Sequence, residues 1–174
     1  GPTGGHAGVG YRYIHSALDD RTRLVYSEIH LDETADTACA FWARAAAWFA
    51  ARGITCERVI TDNGSEFKGA FRARTTHLGI THHRIPARSP NHNAVVERFH
   101  RTLKEILRLI TIPENQAEFQ REVGLIIAWY NEHRPHETLD GKTPNEVHFS
   151  RPPANQQPRL EPRRNWPRGS PCAK

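Results

Sequence analysis

Residues 54–61, ITCERVIT, form a β-branched run that ends directly on Asp62-Asn63-Gly64, and the segment before it has the opposite character. That segment, TADTACAFWARAAAWFAARG, is alanine-rich, offers Thr34 or Asp36 as a cap and Gly53 as a stop, and so predicts a helix. Phe41, Ala45, Trp48 and Phe49 fall on one face of it, a stripe suited to packing on a sheet. Another helix is expected over about 68–78, closing at Gly79 ahead of a short strand, ITHHRI. Strand, helix, strand implies an α/β sheet with parallel crossovers, in which ligands gather beyond the carboxyl ends of the strands. Asp62 stands at such an end. Upstream, YRYIHSAL and LVYSEIHL, joined by DDRTR, read as an antiparallel hairpin, with Asp19 and Asp20 as turn residues.

Beyond Pro90 a long helix is expected over roughly 93–110 and another over about 115–132. On a wheel of about 100° per residue, Phe99, Leu103, Ile106 and Ile110 cluster opposite Glu97 and form the buried face. Arg101, Lys104 and Arg108 fall within about 40° of Glu97. A single carboxylate therefore heads a basic stripe. The plain reading is a solvated face with pairing between Glu97 and Arg101; the sharper one makes Glu97 a metal ligand and the stripe a track for phosphates.

Charge agrees with the sharper reading. Twenty-four Lys and Arg against 19 Asp and Glu give a net charge of +5, which favours a polyanionic partner. The three cysteines lack C-x-x-C spacing, and the histidines lack partner cysteines at finger spacing, so neither a disulfide framework nor structural zinc is expected. No apolar run reaches membrane-spanning length and no secretory leader is present, which leaves the cytoplasm as the default location.

A carboxylate at a strand end and another near a helix start can meet at a cleft. Hard ions such as Mg²⁺ or Mn²⁺ take oxygen ligands and keep room for substrate phosphates. Gly64 lets the backbone turn after the ligand, Asn63 tolerates unusual dihedrals, and Glu66 reads as a helix-start acid.

TDNGSEF, then HHRIPARSPNHNAVVERFHRTLKEI, then WYNEHRPHETLDGKTPNEV together resemble the integrase catalytic core of insertion-sequence transposases and retroviral integrases, the DDE recombinases. The resemblance runs from Tyr11 to Val147. It implies an RNase H-like fold (a mixed sheet flanked by helices), two divalent ions, and cleavage or strand transfer at DNA phosphodiesters. Asp62 stands in place of the family's second aspartate and Glu97 in place of its glutamate. Asn63 and Gly64 match the motif turn. Asn93 matches a frequent asparagine, and Arg88 joins Asn93, Arg101, Lys104 and Arg108 as candidate DNA contacts. Ala94 and Val95 depart from the commoner Gly-Lys.

The family's first aspartate has no counterpart here. Only GPTGGHAGVG precedes the hairpin, and it holds no acid. The expectation is a core lacking its first, central strand, whose neighbours are left with unpaired backbone groups. A chain without methionine that opens this way reads as the interior of a longer protein. Its expected parts are a glycine-rich remnant over 1–10, a core over 11–149 and a basic Pro/Arg-rich tail over 150–174, the start of a C-terminal extension. As it stands it is expected to bind DNA, to self-associate as such recombinases do, and to catalyse poorly. The alternative is a DNA-binding module of the same fold without chemistry.

Overall fold

The computed structural model describes residues 12–85 and 94–153. β1 (Tyr13–Leu18) and β2 (Val25–His30) form the expected hairpin, with Tyr13 opposite His30 and Leu18 opposite Val25. Its turn is closed by Asp19, whose carboxylate accepts from the Thr22 N–H at 2.8 Å and the Thr22 hydroxyl at 2.6 Å. Arg23 takes up the reversal in the left-handed region at φ 65°. α1 (Ala35–Ala50) is capped by Thr34, which accepts from the Thr37 N–H, so the cap is Thr34 and not Asp36. Gly53, at φ 75°, then redirects the chain.

β3 (Arg58–Thr61) is half the length expected from residues 54–61; the chain joins the ladder only at Arg58. A 3₁₀ turn (Ser65–Phe67) and α2 (Gly69–His77) lead to β4 (Thr81–Arg84), which pairs with β3 in parallel. Thr61 lies opposite Arg84. α3 (Ala94–Leu107), α4 (Gln116–His133) and the short α5 (Pro144–His148) follow. Antiparallel and parallel pairing are thus both present, with helices around them. Among the described residues, however, the four strands form two separate pairs, β1 with β2 and β3 with β4.

Two clusters make the core. In one, Val25 and Ile29 of β2 meet Phe99, Leu103 and Leu107 of α3 and Phe119, Val123 and Ile127 of α4. In the other, Ala38, Phe41, Trp42 and Ala45 of α1 enclose Phe71 of α2. Both helical stripes are rotated from their expected positions. On α3 the fully buried line is Phe99, Leu103 and Leu107, at four-residue spacing, while Ile106 and Ile110 lie half-buried at the rim. On α1, Trp42 is buried and Trp48 is not. Trp48 sits on the flank against Tyr26, with the Arg52 guanidinium 3.5 Å from its ring centroid.

The outer edge of β2 is closed by side chains of α4. Asn131 accepts from the Val25 N–H and donates to the Val25 carbonyl, both at 2.9 Å. Gln120 accepts from the Ile29 N–H at 2.6 Å and donates to the Ser27 carbonyl at 3.4 Å. Gln116 donates to the Ile29 carbonyl at 3.2 Å. Three amides thereby do what a neighbouring strand would do.

Candidate active site

Asp62 follows the last residue of β3 and is exposed. Its Oδ1 accepts from the Gly64 N–H at 2.9 Å, a local turn that fixes the carboxylate. Asn63 braces the turn from the other side: its amide donates to the Ile85 carbonyl at 2.6 Å, and Arg84 donates back to the Asn63 carbonyl at 3.3 Å. Unusual dihedrals, expected at this pair, are not what selects it. Gly64 has φ −50°, ordinary for any residue, and Asn63 is not among the residues of positive φ. What glycine gives here is room: a Cβ would meet the Glu66 carboxylate, the movable end of a flexible side chain. Glu66 lies in the first turn of the 3₁₀ segment, as expected of a helix-start acid.

Thr61 supports the same strand end. Its hydroxyl donates to the Asp62 carbonyl at 3.0 Å, so in the 2.8 Å contact with His82 the imidazole Nε2 is the donor. Burial, followed by Arg84 and Arg72, lowers the His82 pKa and favours that neutral form. Nothing in the sequence pattern singles His82 out beyond its place in a short strand; the parallel register with β3 is what brings it to Thr61.

A groove of about 260 Å³ runs beside this strand end. Asp62 and Glu66, residues 14–18 of β1, and Val96 and His100 of α3 are all in its lining. Burial, with Lys104 as a smaller cause, lowers the His100 pKa. Glu97 is exposed on the first part of α3, between those two groove residues in sequence but not in the groove lining. It makes no ion pair with Arg101 among the described residues. Arg101, Lys104 and Arg108 are all exposed. Arg88 and Asn93 lie outside the described residues. Among the described residues no three His, Cys, Asp or Glu form a ready metal cage.

Sequence comparison supplies the family. A profile described as integrase core domain matches residues 3–90, more than half of the 174 residues, and a second profile under the same description matches residues 78–144. The chain belongs to the integrase core domain family. Its core is 29% identical over 146 residues to the ORF3 protein of Spiroplasma virus SpV1-C74, whose name carries a provisional integrase assignment. That match takes in 76% of this chain but only 40% of the viral protein. Solved structures place the fold among retroviral integrase catalytic cores, which are RNase H-like. The simian T-cell lymphotropic virus intasome, solved with the PP2A regulatory subunit B56 gamma, aligns at TM-score 0.62 and 23% identity over 86% of this core and 50% of the viral chain. The BIV integrase catalytic core aligns at 0.59 and 24% over 79% and 85% of the two chains. The HTLV-2 integrase catalytic core, solved in complex with magnesium in a trimeric form, aligns at 0.57 and 19% over 78% and 83%.

Proposed function

We propose that this integrase core binds DNA and holds a divalent cation, Mg²⁺ or Mn²⁺, for phosphodiester cleavage and strand transfer, with Asp62 and Glu97 as its carboxylate ligands. One observation carries the reading. Asp62 is held by its own turn at the end of β3, in a groove that α3 reaches through Val96 and His100, one residue before and three after Glu97. Two exposed carboxylates suit a hard cation that keeps waters and substrate phosphates in its shell. When bound, such an ion activates an attacking hydroxyl and stabilises the leaving oxygen of an in-line displacement.

The chain's own residues orient and bind. The Gly64 N–H fixes one oxygen of Asp62, and His82, through Thr61, holds the strand end from which Asp62 projects. Arg101, Lys104 and Arg108 supply exposed positive charge along α3 for DNA phosphates, and Arg88 and Asn93 extend the proposed contact set. The proposal includes slow turnover of DNA by this 174-residue chain, because two carboxylates hold a hard cation more weakly than three. That favours, for this chain in isolation, DNA binding over efficient chemistry. Like-with-like assembly is part of the proposal, and sedimentation on DNA is its check.

The experiment is a Mn²⁺ titration followed by electron paramagnetic resonance, run beside a plasmid-nicking assay. Asp62→Asn and Glu97→Gln should each weaken Mn²⁺ binding by about tenfold or more, the effect of removing one charge-assisted ligand. Unchanged binding in both variants would remove these residues from the site. Robust nicking that vanishes in Asp62→Asn would refute the slow-turnover part alone.

A further inference from the structure

Arg23 occupies a place that its residue type does not favour. It sits in the hairpin turn at φ 65°, the left-handed region in which a residue other than glycine is uncommon. Its side chain is nonetheless only 19% exposed, while its ion-pair partner Asp20 stays 92% exposed. A backbone held outside its preferred region directs attention to the side chain that it positions.

Two more guanidiniums come to the same corner. Arg134 follows the last residue of α4, and its Cζ lies 6.0 Å from the Tyr130 ring centroid. Tyr130 stands edge-on to Phe99 at 5.1 Å and to His136 at 4.9 Å. Arg98 immediately precedes Phe99 on α3. Arg23 is brought near through Val25, which shares a core cluster with Phe99 and Tyr130 and is bonded at its N–H and carbonyl to Asn131, the neighbour of Tyr130. After burial, Arg134, Arg23 and Arg98 are the groups that lower the His136 pKa, and the same three oppose the rise that burial gives Tyr130. The imidazole is therefore neutral at pH 7, and the positive charge of the corner rests on the guanidiniums.

That charge is poorly compensated. Arg44 and Arg151 are matched by Glu28 and Glu132, whereas Arg98 and Arg134 have no ion pair among the described residues. Like charges gathered from three elements repel one another, and an anion relieves the repulsion. Guanidiniums offer paired N–H groups that match phosphate oxygens. Arg98 also stands about 100° around α3 from Glu97, outside the arc that holds Arg101, Lys104 and Arg108. The corner is thus separate from the basic stripe.

We propose that Arg23, Arg98 and Arg134 form a seat for a single phosphodiester of bound DNA, where the hairpin turn, the start of α3 and the end of α4 meet. A strand that follows the stripe and is also held here is fixed in register along the protein. The inference rests on the DNA-binding part of the proposed function and not on its metal.

The test is fluorescence anisotropy of the full 174-residue chain on a labelled duplex at several salt concentrations. Arg23→Gly suits the left-handed turn, so it should hold or raise the melting temperature while weakening DNA binding about threefold. Arg98→Gln and Arg134→Gln should each weaken binding by about the same factor. Arg98 is exposed, and its variant reads the site without touching the turn. Because the three meet one phosphate, the triple variant should lower the slope of log K against log salt by about 0.9, where three separate contacts would remove about 2.7. Replacing Arg101, Lys104 and Arg108 by alanine in the same assay reports on the stripe alone, so the two readings fail separately. Inorganic phosphate, titrated against chloride at constant ionic strength, is the other source of the same chemistry. A corner built for the free ion would shift the Tyr130 and His136 ring resonances with it and leave DNA affinity unchanged in Arg23→Gly. That outcome overturns the proposal, as does an unchanged DNA affinity in the triple variant or a slope loss near that of three separate contacts.

Discussion

Gly64 and His136 show how single positions in this core carry weight that their residue type does not announce. Because Gly64 has φ −50°, alanine there keeps its backbone and only displaces the Glu66 carboxylate, a flexible group. Gly64→Ala should therefore cost less than about 1 kcal/mol, against more than that for a glycine held at positive φ. Denaturant midpoints would show it, and Gly64→Ala with Glu66→Ala should recover the difference. His136 rests edge-on against Tyr130, with ring centroids 4.9 Å apart, and its Nε2 is buried without a partner among the described residues. Burial, followed by Arg134, Arg23 and Arg98, lowers its pKa from 6.5 to about 4. The unfolded chain takes up this proton near pH 6.5 and the folded one only near 4, so stability falls as pH drops through that window. His136→Phe should flatten the decline in melting temperature between pH 7 and about 4.5, inside that same window. At this scale the acid and its turn were legible by position, but the reason for the glycine was not. Space beside Glu66 is a property of a rotamer, which no residue pattern encodes.

Among the elements, α4 has the least expected role. Its helical period was legible, and its bounds came within one residue of those expected, at Gln116–His133. Its amides were not. Gln116, Gln120 and Asn131 look like polar positions on an amphipathic helix, and only the packing of α4 on β2 turns them into backbone partners. Asn131→Leu keeps the volume and strands both the N–H and the C=O of Val25, which is fully buried. It should cost about 2–4 kcal/mol, read by chemical denaturation. Gln120→Leu should cost less, about 1–2 kcal/mol, because Gln120 is half-buried. The rotated stripes on α1 and α3 have a related cause. A wheel gives the spacing of apolar residues but not which of two neighbouring lines faces the partner, and Phe71 and Val123 decide that here.

Across the whole molecule, the basic stripe of α3 lies apart from a wide cavity, whose lining includes none of Arg101, Lys104 and Arg108. The cavity, about 850 Å³, is bounded by Trp48, Leu125, Trp129 and Phe149, none of which lines the groove beside Asp62. DNA binding through α3 should fall steeply with salt. Replacing Arg101, Lys104 and Arg108 together by alanine should reduce the slope of log K against log salt by about 0.9 for each phosphate that is no longer neutralised. Fluorescence anisotropy at several ionic strengths measures it, and an unchanged slope would move the DNA elsewhere. The RNase H-like plan was legible because strand, helix, strand and three spaced motifs agree. Among the described residues the strands stand as two pairs, β1 with β2 and β3 with β4, a separation that spacing of motifs does not encode. The amide seal on β2 now has a kinetic meaning: it acts as a chain terminator. β4 ends on Arg84, whose charge discourages edge pairing there. The edge-to-edge stacking that builds fibres therefore has no free edge at β2 from which to start.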